Sequence, residues 1–177
     1  MDYKTHSTIE LNSGAHFPAH KLGDFTDADM FMRSCPGAHH AAWQLSHLTA
    51  FEAGAQHPVA PTHAVTLLDG FRELFTNQAN ITVDDAAKFA PFHNNPLQTS
   101  PFHTKAKLIE IFQQICAVTV ACVEWLTPDQ LDARSREKYA GWAPTLGTLV
   151  AGQLARTITH VGQCHVIRRM LGKPALL

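Results

Sequence analysis

The sequence predicts an all-α fold, a four-helix bundle with one long crossover connection, and three observations carry that prediction. Apolar residues recur at alternating spacings of three and four over several long stretches, the period of an amphipathic helix. A long, polar and proline-bearing segment lies between the second and third of these stretches, as a crossover requires. No alternating apolar and polar run competes as a strand.

The elements follow in chain order. Residues 8–22 read as a first helix bent at Pro18, because proline removes one intrahelical hydrogen bond. Residues 35–54 open with Pro36 and Gly37 and then carry Ala41, Ala42, Leu45, Leu48 and Phe51 at helical spacing, which makes a second helix. The middle holds a short helical candidate over 65–75, followed by the polar run 89–99 as the crossover. Over 100–126 the positions Leu108, Ile111, Phe112, Ile115, Val118, Thr119, Cys122, Trp125 and Leu126 form one stripe, with Ser100 and Pro101 as the starting signal. The last helix, 145–171, carries Leu146, Leu149, Val150, Leu154, Ile158 and Val161, and Gly172, Lys173 and Pro174 stop it.

Composition narrows the function. The 177 residues are 45% hydrophobic and 16% charged, which suits one domain over 1–177 with a sizeable core. Fourteen basic residues against fifteen acidic ones provide no field for a phosphate backbone, so nucleic acid is not an expected partner. No stretch approaches the roughly 20 uninterrupted apolar residues of a membrane span, and the first residues lack a signal-peptide pattern. A cytoplasmic protein without a membrane partner is expected. Four cysteines without a CxxC pair read as free thiols, with Cys116, Cys122 and Cys164 buried in helices. The low charged fraction leaves apolar helix surface for a second copy, and Trp43, Phe51, Trp125 and Trp142 are large enough to take part, so a homodimer is expected.

Twelve histidines make metal and proton chemistry the first candidates. A helix advances about 100° per residue, so His40, Gln44 and His47 share one face of the second helix. In the last helix His160 follows Arg156 by one turn and precedes Cys164 by one, with Thr157 and Gln163 alongside. Polar groups at that spacing on a packed helix imply a polar pocket, since a buried unpaired polar atom costs about 1 to 3 kcal/mol. His165 lies about 140° round the helix from His160, too far to share an ion with it, and reads as facing outward or a partner. His16 and His20 have the i, i+4 spacing of a helical metal pair, with Pro18 between them. His57, His63, His93 and His103 read as solvated residues of loops or helix starts. No Ser/His/Asp order, glycine-rich phosphate loop or HExxH string is present.

Two strings resemble a known family. Pro36-Gly-Ala-His-His-Ala-Ala-Trp-Gln-Leu-Ser-His47-Leu48 looks like the second-helix motif of the DinB-like (damage-inducible) four-helix-bundle proteins, and Thr159-His-Val-Gly-Gln-Cys-His-Val-Ile-Arg-Arg-Met-Leu-Gly-Lys-Pro174 is similar to their last helix. Phe25-Thr-Asp-Ala-Asp29 and Leu126-Thr-Pro-Asp-Gln-Leu131 are weaker landmarks. The resemblance implies a bundle, often a homodimer, with a divalent metal such as nickel or zinc held by one histidine of the second helix and an i, i+4 pair of the last. It also implies a metal-dependent enzyme, a thiol transferase using a low-molecular-weight thiol or a hydrolase, acting on a small electrophilic substrate.

Carried over by position, His47 and His160 match two of the ligands and are expected to face one another, whereas the third falls at Arg156, which cannot ligate a cation. His20 is the expected replacement, with His16, His40 and Gln44 as further donors. Arg156, Gln163 and Gln44 are the residues expected to hold a small molecule. The alternative is a non-catalytic dimer that has lost the metal and uses Arg156 to bind a small anion.

Overall fold

The computed structural model describes residues 3–59 and 104–176, and its regular elements are helical, with no strand among the described residues. The expected helix over 65–75, the crossover over 89–99, the starting signal at Ser100 and Pro101, and His63, His93 and His103 lie outside these residues. Four long helices occur among the described residues: α1 (Tyr3–Leu22), α2 (Ala41–Val59), α3 (Lys105–Trp125) and α6 (Leu146–Met170). Two short ones, α4 (Pro128–Asp132) and α5 (Glu137–Ala140), fill the connection before α6. Both α1 and α2 pack against α3 and against α6.

Helix α1 begins five residues earlier than its apolar pattern suggests and runs through Pro18. Pro18 is fully buried and has no N–H to offer the carbonyl one turn back. Helix α2 starts later than expected, at Ala41 rather than residue 35. Gly37 takes the left-handed conformation, φ 83°, inside a turn closed by Ala38 N–H to the Cys35 carbonyl at 3.0 Å. The helix is then capped by His40, whose Nδ1 accepts from Trp43 N–H at 3.0 Å while its carbonyl accepts from Gln44 N–H at 3.0 Å. His57, expected in a loop, falls within α2. Every residue from Ala41 to Thr49 is buried, so α2 has no solvent face there and is the central helix.

Helix α3 takes its cap from Thr104, which accepts from Lys107 N–H. It is long and apolar enough to cross a membrane by length and composition alone, yet it buries Leu108, Phe112, Ile115 and Val123 against its neighbours. Trp125, expected in its core stripe, is the last residue of the helix and is 81% exposed. The Leu126–Leu131 landmark is a capping box: Thr127 and Gln130 satisfy each other's backbone N–H, with Pro128 opening α4. Thr145 and Thr148 do the same for α6.

The buried stripe of α6 runs through Val150, Gln153, Thr157, Val161, Cys164 and Arg168. Ile158, expected on that stripe, sits one position past it and is 52% exposed. The helix ends where Gly172 turns left-handed at φ 69°; Gly172 N–H reaches the Arg169 carbonyl and Lys173 N–H the Arg168 carbonyl, a Schellman stop.

The main core is built from Leu22, Phe25, Met30, Trp43, Leu45, Leu48, Phe112, Ile115, Cys164 and Ile167. At one end of it the segment after α1 is tied down. Thr26 and Asp29 cap a 3-10 turn reciprocally, Lys105 Nζ reaches the carbonyls of Gly23 and Phe25 at 2.7 Å, and Arg168 forks onto Asp24.

Candidate functional site

The site lies between α2 and α6. Packing them together brings His47 and His160 edge to face, with ring centroids 5.0 Å apart and the ring planes at 67°. Around this pair the two helices supply Gln44 and Arg156, each one turn from a histidine.

Three hydrogen bonds tie this group together. The guanidinium of Arg156 has only donors, and its Nη1 lies 3.3 Å from His47 Nε2, so that nitrogen is an acceptor and is not protonated. His160 Nδ1 is hydrogen-bonded to Gln44 Oε1, an acceptor, so Nδ1 carries the proton. Gln44 donates in turn to the His39 carbonyl at 3.4 Å. Burial holds His160 down to a pKa of about 4, reinforced by the Arg156 charge, while a hydrogen bond to Gln163 works the other way. Burial also lowers the pKa of Arg156. At neutral pH His160 is therefore a neutral imidazole beside a cation.

Aromatic rings wall the site. Trp43 is stacked between His39, 3.5 Å away, and His47, 4.9 Å away. The Arg156 guanidinium lies 3.8 Å over the Phe51 ring and 5.7 Å from Trp142. Trp142 is 46% exposed and rests directly on α6 at Gly152, where an added Cβ would stand 2.5 Å from its Cζ3. Beneath the rings, Gln153 is buried with both amide atoms unpaired among the described residues, as is the Trp43 Nε1. On the last helix Gln153 and Thr157 are buried and Arg156 and His160 half-buried, with Thr157 turned toward Gly14 of α1.

The expected metal donors do not assemble. His20 is exposed on α1, and His16 is exposed as well. His40 is used as the cap of α2, and Gln44 Oε1 is taken by His160. No group of three His, Cys, Asp or Glu side chains placed to hold a metal ion occurs among the described residues. A guanidinium at hydrogen-bond distance from His47 Nε2 puts a fixed positive charge where a divalent cation would have to sit. The described residues do not, among themselves, fit a metal.

Nor do the buried cysteines supply a nucleophile. Burial pushes the Cys164 thiol, one turn past His160, up to about 12, and raises Cys116 and Cys122 too. A planar cationic fork, two imidazoles and an aromatic wall stand together here, groups whose geometry suits contact with an anion.

Gln163 is exposed and reaches the site only through His160. Phe51, Trp142 and Gly152 belong to the site although the sequence pattern did not place them there. Phe51 follows His47 by four, which puts the two on one face, and a glycine inside a helix signals a close approach. Trp142 comes from the connection before α6, and no periodicity announces it. Comparison of the chain with protein-family models, curated proteins and solved structures found no match in any of the three.

Proposed function

We propose that this chain is a DinB-like four-helix bundle, its crossover supplied by the segment after α2, whose core site binds a small organic anion through Arg156. The observation that carries the reading is the half-buried Arg156 guanidinium, stacked on Phe51 and touching the unprotonated His47 Nε2, with no carboxylate pairing it among the described residues. A buried arginine ordinarily has its anion within the fold. Among the described residues no side chain takes that anion's place, and we assign it to a ligand.

A carboxylate matches the guanidinium fork in geometry, and Phe51 and Trp142 offer apolar contact to a ring or short chain beside it. This favours the non-catalytic alternative over a metal-dependent thiol transferase or hydrolase, because a metal would need a third donor and a displaced Arg156. The nickel or zinc ion and the low-molecular-weight thiol that the resemblance implies are accordingly not part of the proposal. We place the protein in the cytoplasm as a homodimer; free cysteines and the exposed Val166 and Met170 on α6 support that placement.

The test is calorimetric titration with benzoate as probe. The wild-type chain binds it, and Arg156→Met weakens binding by about tenfold to a hundredfold, the loss of one charge-assisted contact of roughly 1.5–3 kcal/mol. Equal binding by the two proteins overturns the proposal.

A further inference from the structure

A groove of about 430 Å³ lies on the other side of α6, between α1 and the segment after α6, and shares no residue with the Gln44, His47, Arg156 and His160 group. Its size falls in the range of small-molecule pockets, roughly 300–1,000 Å³. Phe17, Ile158, Val161, Ala175 and Leu176 give it apolar walls. Among the described residues its ionisable lining is Lys21, His165, Arg168 and Arg169, with no carboxylate.

These cations are not equivalent. Arg168 is already neutralised by Asp24. Lys21 is only 6% exposed, and among the described residues its ammonium has a single hydrogen-bond partner, the Leu176 carbonyl at 2.8 Å on the groove wall. A carbonyl satisfies one of three donors and none of the charge. Arg169 is exposed at the rim, and His165 Nε2 is a buried nitrogen with no hydrogen-bond partner among the described residues. Burial and the neighbouring Lys21, Arg168, Arg169 and His20 depress the His165 pKa, which reports a positive potential at this spot. An apolar trough with an uncompensated buried cation at its wall calls for a ligand with an anionic head and an apolar body.

We propose that this groove is a second binding site, for an alkyl carboxylate whose head group pairs with Lys21 and whose chain lies along Phe17, Ile158 and Val161. The ligand is a free fatty acid of medium length. Its recognition is independent of Arg156.

Calorimetry with the full chain and dodecanoate, kept below its micelle concentration, tests the proposal against dodecanol and dodecyltrimethylammonium. One dodecanoate is expected per chain, the alcohol binding at least about tenfold more weakly and the cation not at all, the discrimination a desolvated charge pair provides. Ile158→Glu, at a position that is already half-exposed, should weaken dodecanoate more than about tenfold and leave benzoate binding unchanged, which separates this site from that of Arg156. Lys21→Met should abolish the preference for the acid over the alcohol. Absence of dodecanoate binding, equal binding of all three amphiphiles, or undiminished binding by Ile158→Glu overturns the site. So does a wild-type dimer that Ile158→Glu dissociates in sedimentation, for then a second copy covers the groove.

Discussion

Helix α6 carries two arginines, Arg156 and Arg168, about 18 Å apart along its axis, and the fold treats them in opposite ways. Arg168 is 2% exposed and saturated: Nη2 meets Asp24 Oδ2 at 2.6 Å, Nη1 donates to the Lys21 carbonyl at 2.9 Å, and Nε donates to the Pro174 carbonyl at 2.6 Å. It fastens the end of α1 and the end of the chain to the last helix. Arg156 has rings and one imidazole nitrogen instead. An arginine used for structure is surrounded by acceptors, and one held open for a ligand is surrounded by surfaces that orient it without discharging it.

The comparison breaks if the two residues respond alike to removal. Arg168→Met should cost on the order of 3 kcal/mol in denaturant unfolding, because it strips charge-assisted bonds from two backbone carbonyls. Arg156→Met should stay within about 1 kcal/mol of the wild type, having removed a desolvated cation with no counter-ion. Similar losses in the two variants would mean that Arg156 is structural too.

The same contrast extends to the carboxylates. Arg168 holds Asp24 below the usual carboxylate range, first by its hydrogen bond and then by its charge. Glu52, buried on α2, is pushed up to about 7 by desolvation, with a hydrogen bond to Thr119 opposing the rise. Because the folded protein binds this proton more tightly than the unfolded chain, Glu52 costs nothing below pH 4.5; its cost grows as pH rises and is complete above about pH 7. Glu52→Gln should therefore stabilise the protein by up to about 3 kcal/mol at pH 8 and leave it unchanged at pH 4, as read by urea unfolding at the two values. A gain of equal size at both would exclude desolvation as its source.

A smaller effect probes the aromatic wall. Gly152→Ala must move Trp142, since the new methyl would overlap its ring; a few-fold loss of benzoate affinity is expected, with about 1 kcal/mol or less of stability. Unchanged affinity would remove Trp142 from the site. A second pH effect is the titration of His160. Its folded pKa of about 4 lies below the ordinary 6.5, so the unfolded chain binds this proton more tightly, and its contribution is lost as pH falls from about 6.5 toward 4. In a Glu52→Gln background, where the opposing slope is gone, His160→Gln should flatten the acid limb of the stability profile. An unaltered limb would place the titrating group elsewhere.

Much of this frame was legible in the chain itself. The 3.6-residue period located α3 and α6, Gly172 ended α6 as expected, and His47 and His160 proved to be neighbours because each shares a face with buried residues. Periodicity reports which face a residue occupies and nothing about who caps whom. His40 therefore caps the helix whose interior the pattern assigns it to, and α2 starts six residues later than Pro36 and Gly37 suggest, because the left-handed Gly37 belongs to a turn ahead of the helix. Spacing also left open whether His20 could join the site, which depended on how α1 is turned; its exposure answers that. Trp142 was invisible because it reaches the site from a connection, where tertiary packing alone decides position.

The central claim, that Arg156 stands where a metal would otherwise be, is tested most directly by titrating nickel and zinc into chelator-stripped wild-type and Arg156→His proteins. The account predicts weak, substoichiometric binding by the wild type, and one ion per chain at least about tenfold more tightly held by Arg156→His, since a cation has been exchanged for a third imidazole. One tightly held ion per wild-type chain, lost in His47→Ala, would contradict it.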